Sequence, residues 1–475
     1  MKQIRHRTGA VTEMEQTTAK KNKYEIDMCN GTIMDKLISF SLPLMLSGIL
    51  QLMFNAVDII VVGRFSGSQA LAAVGSTSAL INVFTNLFIG ISLGANVLTA
   101  RFYAAGREKE VSETVHTAIT LALVSGIVMA LVGLVFSKGA LALMGTPDDV
   151  IGLSALYMRI YFLGMPFFML YNYGAAILRA VGDTKRPLLF LMIAGVINAC
   201  LNMVLVIVFK LGVAGVAIAT VISQMISCVL VLRCLYRSES SYRLRFSELG
   251  MKGYYLKQIF SVGVPAGIQS TVINFSNVLL QSSVNSFGST AMAGYTAANN
   301  LLGFLYVSVN SITQACMSFT SQNYGVGKLK RMDRVLADCM ILSVVVAVAL
   351  GCICYGFGPE ILQIYTEDAE VIACGMEILA YTTITYFLCG WMDLFPGALR
   401  GMGYSAVPMV LSVIGTVGTR VVWIFGIFPY HRSLAILFIS YPASWIITIV
   451  LQVICFYFVR RRVHRRSQAL AGQEA

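Results

Sequence analysis

Leu178-Arg179-Ala180-Val181-Gly182-Asp183-Thr184-Lys185-Arg186-Pro187 separates two apolar runs, and Leu399-Arg400-Gly401-Met402-Gly403-Tyr404-Ser405-Ala406-Val407-Pro408 does the same in the second half of the chain. Both stretches have Leu-Arg at the start, Gly at the fifth position and Pro at the tenth. After Pro187 comes LLFLMIAGVINACLNMVLVIV (188–208), with no charge in it. About 20 apolar residues in a helix cross the hydrocarbon core of a bilayer. Barrel strands are alternating segments of ~10 residues. This run is longer and does not alternate, so it predicts a transmembrane helix.

Eleven further runs read the same way: 37–62, 70–97, 117–136, 151–178, 213–232, 259–284, 291–319, 335–356, 371–398, 409–428 and 434–459. Composition agrees. Hydrophobic residues make up 57% and charged residues 12% of the 475, against about 25% charged in soluble domains, and mean hydropathy is +0.74. That excludes an ordinary soluble enzyme and a disordered chain. Several runs exceed the bilayer requirement, so tilt or protrusion is expected. Pro43 and Pro265 fall inside runs and predict kinks. Gly48, Gly90, Gly94 and Gly195 suit close helix packing. The first run begins near Leu37, too late for a cleaved secretory signal. None of the eleven cysteines forms a CxxC pair. Neither a disulfide framework nor a Cys/His metal site is predicted.

Twelve spans put both ends of the chain on one side. That side carries 29 Lys and Arg and the other 4 (Arg64, Lys138, Lys210 and Arg432), with Arg159 and Arg420 inside spans. The bias predicts a multi-pass protein of the cytoplasmic (inner or plasma) membrane with both termini in the cytoplasm. It also accounts for the net charge of +12 without nucleic acid.

The halves match beyond the two loops, at the same offset in numbering. Gly67-Ser68 answers Gly288-Ser289, Ala70-Leu71-Ala72 answers Ala291-Met292-Ala293, and Tyr103-x-x-Gly106 answers Tyr324-x-x-Gly327. Units of six spans enter the membrane in the same direction, so a pseudo-twofold axis along the membrane normal relates them. The expected architecture is all-α and integral to the membrane: twelve transmembrane helices in two six-helix lobes around a central cleft. Its parts are a polar arm (1–36), a first lobe (37–232), a linker (233–258), a second lobe (259–459) and a basic tail (460–475). Two lobes able to rock about a cleft suit an alternating-access transporter.

The chain resembles the multidrug and toxic compound extrusion (MATE) family. The resemblance lies in Asn55-Ala-Val-Asp58, Val62-Gly63-Arg64, Leu71-Ala72-Ala73-Val74-Gly75, Tyr157-Met-Arg159-Ile160, Pro166-Phe167, Ile197-Asn198-Ala-Cys-Leu201-Asn202, Gly215-Val216-Ala217-Ile218-Ala219-Thr220 and the two Leu-Arg-x-x-Gly loops. It spans roughly residues 37–460. The resemblance implies efflux of organic, often cationic compounds in exchange for protons or sodium ions. It also implies a first-lobe cation site that uses an aspartate, an asparagine and a threonine, matched here by Asp58, Asn198 and Thr220. A second family aspartate is replaced by Asn202, which removes a negative charge and favours a lone protonatable acid over tight sodium binding.

Ionisable groups at membrane depth are costly, about 2.5–3.5 kcal/mol each on the insertion scale. Asp58, Asn198, Asn202 and Thr220 fall at similar depths on three spans, with Asn198 and Asn202 on one helix face. A carboxylate among amide and hydroxyl oxygens suits a small cation or a proton, so Asp58, Asn198 and Thr220 are also the candidate sodium ligands. The plainer role for Asp58 is interhelical hydrogen bonding, with Arg159 as a partner. Glu377 and Arg420 share a depth in the second lobe and predict an ion pair. Asn55 and Asp393 complete the candidate substrate or ion-pair set. Arg179 and Arg400 sit beside Gly-rich turns, where topology is their plainer role and gating the alternative. The Met and aromatic content suits an adaptable cleft, though most such side chains pack or face lipid.

The expected cycle has ionised Asp58 favour a cationic cargo from inside and outside protonation release it. The expected partners are small organic substrates and the lipid bilayer. No cofactor beyond the coupling ion, no nucleic acid and no obligate protein partner is expected. A lipid-linked oligosaccharide flippase is the nearest alternative, disfavoured by only two buried basic residues. A membrane enzyme is disfavoured by four scattered histidines (His6, His116, His431 and His464).

Overall fold

The computed structural model describes residues 23–474, so positions 1–22 of the predicted arm and Ala475 lie outside it. The first lobe contains α1 (Met34–Phe65), α2 (Ser68–Ala104), α3 (Glu108–Leu143), α4 (Asp148–Leu163), α5 (Met165–Ala180), α6 (Lys185–Asn202) and α7 (Gly212–Tyr236). The second contains α8 (Gly253–Asn285), α9 (Ser289–Gly325), α10 (Leu329–Gly356), α11 (Gly358–Gln363), α12 (Ala369–Thr382), α13 (Tyr386–Gly401), α14 (Ala406–Ser412), α15 (Thr419–Val422) and α16 (Leu434–Glu474). No strand occurs among the described residues.

Eight helices are individually long and apolar enough to cross a membrane, ten when each of two bent pairs is taken as one span. Helices α8 and α9, of 33 and 37 residues, complete twelve helical columns. Buried polar residues such as Ser318, Ser321, Gln322 and Asn323 make α9 less apolar, because its end lies in the seam between the lobes.

The sharp bends are not at the two prolines named from sequence. Helices α1 and α8 run uninterrupted through Pro43 and Pro265. The breaks are 47° between α4 and α5 and 51° between α12 and α13. Pro166 stands at the start of α5, where it fits a new helix and cannot continue the old one. The second bend has no proline. There Thr382, Thr383 and Thr385 donate their hydroxyls to the carbonyls of Ile378 (2.7 Å), Leu379 (2.6 Å) and Tyr381 (2.8 Å), a competition with the helical ladder that bends helices.

The repeat is visible in the backbone. Six of the nine left-handed glycines among the described residues pair at the offset of the sequence repeat: Gly67 (φ 86°) with Gly288 (101°), Gly106 (68°) with Gly327 (72°), and Gly182 (96°) with Gly403 (90°). In the Leu-Arg-x-x-Gly loops, Gly182 N–H donates to Arg179 O and Asp183 N–H to Leu178 O, as Gly403 N–H does to Arg400 O and Tyr404 N–H to Leu399 O. This Schellman closure needs a residue tolerant of positive φ.

The lobes meet along one face. A side chain on Gly90 would collide with Gly267, and one on Gly94 with the carbonyl of Ile259. Near the helix ends the contacts become reciprocal. Arg101 donates to the carbonyl of Gly401 (3.5 Å) and lies over the Tyr324 ring, while Gln322 donates to the carbonyl of Ala180 (2.7 Å). Gln322 is the repeat counterpart of Arg101, and Gly401 that of Ala180, so the latch obeys the pseudo-twofold. Ser321 also donates to Val97 O (2.6 Å) and Ser318 to Asn96 Oδ1 (3.1 Å).

The same face carries both described ends. The arm staples the lobes together: Asn323 donates to Met28 O (3.1 Å), Arg331 to Gly31 O (2.8 Å) and Lys328 to Asn30 Oδ1 (2.8 Å), while Glu25 accepts from Tyr103 (2.8 Å) and Tyr242 (2.6 Å). The linker docks on the first lobe, with Arg245 N–H donating to His116 Nε2 (3.0 Å) and Lys252 paired with Glu113. The predicted separate tail is a continuation of α16, pinned where Arg460 grips Asp333 through two hydrogen bonds (2.8 and 2.6 Å).

Candidate functional site

Phe54 of α1 lies against Gly195 of α6, where any side chain would overlap its ring. The two helices therefore approach closely, and one turn further along both, Asp58 meets the two asparagines. Asp58 is 9% exposed, Asn198 5% and Asn202 0%. The Asn202 amide donates to Asp58 Oδ1 and to Asn198 Oδ1 (3.2 Å). From α7, the Thr220 hydroxyl is 3.4 Å from Asp58 Oδ2 and 2.9 Å from its own helix carbonyl at Val216. Asn202 Oδ1 is buried without a partner.

Local backbone geometry supports this meeting. Immediately after Asn202 the helix widens into a π-turn, Met203–Val208. Such turns are rare and frequent at functional sites. Tyr157 and Tyr161 of α4 stack at 6.1 Å within electrostatic reach of Asp58. Sequence reading left this tyrosine pair out of the site, although its i, i+4 spacing beside the Asp58 depth was a usable signal.

The cluster holds one carboxylate and neutral groups. Both carboxylate oxygens receive donors, and no cation pairs with Asp58 among the described residues. Proton exchange at the carboxyl changes the charge of the cluster with little rearrangement. A sodium ion would need oxygens turned inward instead, and here the Asn202 amide presents its N–H. No group of three or more His, Cys, Asp or Glu able to hold a metal occurs among the described residues.

The other candidates divide. Arg159 is exposed and forms no ion pair among the described residues, so it is not the partner of Asp58. Asn55, one turn before Asp58, is exposed and outside the hydrogen-bonded cluster. The expected Glu377–Arg420 ion pair is absent. Glu377 is half-buried, whereas Arg420 donates to Asn277 Oδ1 (2.8 Å) and Ser276 Oγ (3.2 Å) of α8 and lies 4.7 Å over the Tyr441 ring. Equal depth did not bring the pair together: the partners of Arg420 lie on α8 and α16, not on α12. Asp393 is half-buried and its electrostatic neighbours are Arg400 and Tyr306. Arg400 is buried and donates to Gln269 Oε1 (2.6 Å), so it crosses between helices instead of merely marking topology. Arg101 and Gln322 were not singled out in sequence. The signal was their equivalence under the repeat.

Many known proteins are similar to this chain in sequence or in overall fold. The MatE family model matches twice, over residues 43–204 and 265–425. The probable multidrug resistance protein YoeA of Bacillus subtilis (strain 168) is 32% identical over 434 residues, covering 89% of this chain and 93% of that protein. The probable multidrug resistance protein NorM of Thermotoga maritima is 26% identical over 393 residues, covering 80% and 83%. Among solved structures, the outward-facing conformation of a multidrug resistance MATE family transporter of the MOP superfamily superposes with a TM-score of 0.85. It is 19% identical and covers 94% of this chain and 100% of the other.

Proposed function

This chain belongs to the MatE family of multidrug efflux transporters, and we propose that it is a proton-coupled antiporter exporting organic cations and amphipathic compounds across the cytoplasmic membrane by alternating access. The observation that carries the coupling is the Asp58 cluster: a buried carboxylate that, among the described residues, is held only by Asn202 and Thr220. An unpaired charge in this setting is costly, so a proton or a cationic cargo stabilises the cluster, and the two compete.

The seam supports the direction of the cycle. The lobes are latched on the face that carries the basic excess, which the positive-inside rule assigns to the cytoplasm. In this state Asp58 takes its proton from outside and releases the cargo there. Breaking the latch turns the cluster inward, where loss of the proton restores the charge that attracts the next cargo. Asn202 and Thr220 orient the carboxylate for both steps.

The test is efflux from everted vesicles energised separately by a pH gradient and by sodium. The expected result is pH-driven export that Asp58→Asn lowers by about tenfold or more at unchanged protein level. Unchanged pH-driven efflux in that variant removes Asp58 from coupling, and efflux driven by sodium alone overturns the proton assignment.

A further inference from the structure

Arg420 is 3% exposed and has no carboxylate partner among the described residues. Its Nη1 donates to Asn277 Oδ1 (2.8 Å) and Ser276 Oγ (3.2 Å), and its Nε is buried without a partner. The ionisable groups around it are Tyr441, Tyr295, Cys389 and Tyr386, all neutral at physiological pH in their ordinary forms. The Tyr441 hydroxyl is already shared with that of Tyr295 at 2.9 Å. A guanidinium buried at membrane depth normally finds a counter-charge. This one has neutral neighbours and a free N–H.

The repeat shows what this position corresponds to. Tyr441 is the counterpart of Thr220, and Arg420 falls one position past the counterpart of Asn198. Ser276 and Asn277 lie on α8, the second-lobe counterpart of the helix that bears Asp58. Arg420 also sits between two π-turns, Val413–Gly418 and Trp423–Ile427, and the second matches the π-turn after Asn202. The two lobes therefore place equivalent polar clusters on equivalent helices. One is centred on an acid and the other on a guanidinium.

We propose that the Arg420 cluster is a binding site for a small monovalent anion, either chloride or the carboxylate of a zwitterionic cargo. The free Nε–H and the Nη2 hydrogens on the same edge of the guanidinium supply charge-assisted donors. Ser276 and Asn277 hold the fork in place, and Tyr441 covers one side of it. A carboxylate bound here and an amine drawn to Asp58 would span the two lobes. The anion site itself does not depend on Asp58 acting as the coupling group.

The test is a titration of the purified full chain in lipid nanodiscs. Chloride or acetate replaces methanesulfonate at constant ionic strength and pH, and thermal stability is read. The expected result is a saturable rise that Arg420→Gln weakens at least tenfold and Asp58→Asn leaves intact. Bromide gives an independent reading in the unmutated protein. Trp445 lies 5.8 Å from the Tyr441 ring, so site-bound bromide quenches tryptophan fluorescence saturably, with chloride competing. This keeps the test decisive if Arg420→Gln fails to fold. The source is assigned by exporting a zwitterionic xanthene dye and its ethyl ester. Selective loss of the zwitterion in Arg420→Gln assigns the cargo carboxylate, and equal export of both assigns chloride. No saturable response to any of these anions, or an unchanged titration in folded Arg420→Gln, overturns the proposal.

Discussion

Asp58 depends on two neutral side chains, and the stronger of them is Asn202. Truncating it as Asn202→Ala leaves the carboxylate with the 3.4 Å contact to Thr220. Leaving a buried group unsatisfied costs about 1–3 kcal/mol, so pH-driven efflux in that variant should fall by roughly tenfold or more while sodium remains without effect. The converse change, Asn202→Asp, puts two carboxylates in one cluster. Like charges in contact favour a bound cation over two separate ionised acids. Efflux by Asn202→Asp should depend more strongly on sodium than efflux by the unmutated protein, measured in the same vesicles at fixed pH. A response to sodium identical to that of the unmutated protein would argue that the second negative charge is not what selects the ion. The site was legible in sequence to this extent: Asp58, Asn198, Asn202 and Thr220 could be set at one depth from the constant rise of a helix per residue. The same count also aligned Glu377 with Arg420, and those two do not pair. Counting along a helix gives height and leaves open which way a helix is turned in the assembled lobe.

At the scale of elements, the seam between α2, α8 and α9 is the part that opens and closes in the proposed cycle. It combines glycine contacts, which admit close approach without side-chain interlock, with a few hydrogen bonds near the helix ends. A net hydrogen bond contributes about 0.5–1.5 kcal/mol, so the latch stabilises the closed face by a few kcal/mol at most, which in the proposed cycle cargo and proton binding offset. Removing both halves together, as Arg101→Ala with Gln322→Ala, should raise amide hydrogen exchange about tenfold in residues 96–104 and 318–325 and leave the Asp58 helix unchanged. Unaltered exchange there would show that the glycine packing alone holds the seam. Gly90→Val tests that packing directly, since its side chain meets the Gly267 backbone. Overpacking costs about 1–3 kcal/mol, so this variant should expose the same segments to exchange and lose export. The bends between α4 and α5 and between α12 and α13 escaped sequence reading for a physical reason. Proline marked the first only through its place at the start of a new helix, and the second rests on threonine hydroxyls whose back-bonding is decided by local rotamers.

For the whole molecule, the energetics follow from the charges that move. One elementary charge crossing 100 mV is worth about 2.3 kcal/mol, and one pH unit about 1.4 kcal/mol per proton. A monocation exchanged for one proton carries no net charge. Clamping the voltage at zero with potassium and valinomycin should therefore leave export of a monocationic dye unchanged at fixed pH gradient, whereas export of a neutral dye should slow. Voltage sensitivity of the monocation would mean that more than one proton enters per cargo.

The sequence alone determined the number and approximate placement of the helical columns, their duplication, and the basic face, because burial of apolar surface in a bilayer and the loop chemistry of Leu-Arg-x-x-Gly are local properties of the chain, whereas helices such as Glu108–Leu143 and Leu434–Glu474 run well past their apolar cores. Tertiary structure decided which polar groups meet. Asp58 bonds to Asn202 and not to Arg159, Arg420 to Asn277 and not to Glu377, and Arg101 and Gln322 become one latch. Each outcome depends on the rotation and lateral approach of helices far apart in sequence, set by glycine contacts, π-turns and bends. Their energies are sums over many neighbours, and no one-dimensional pattern records them.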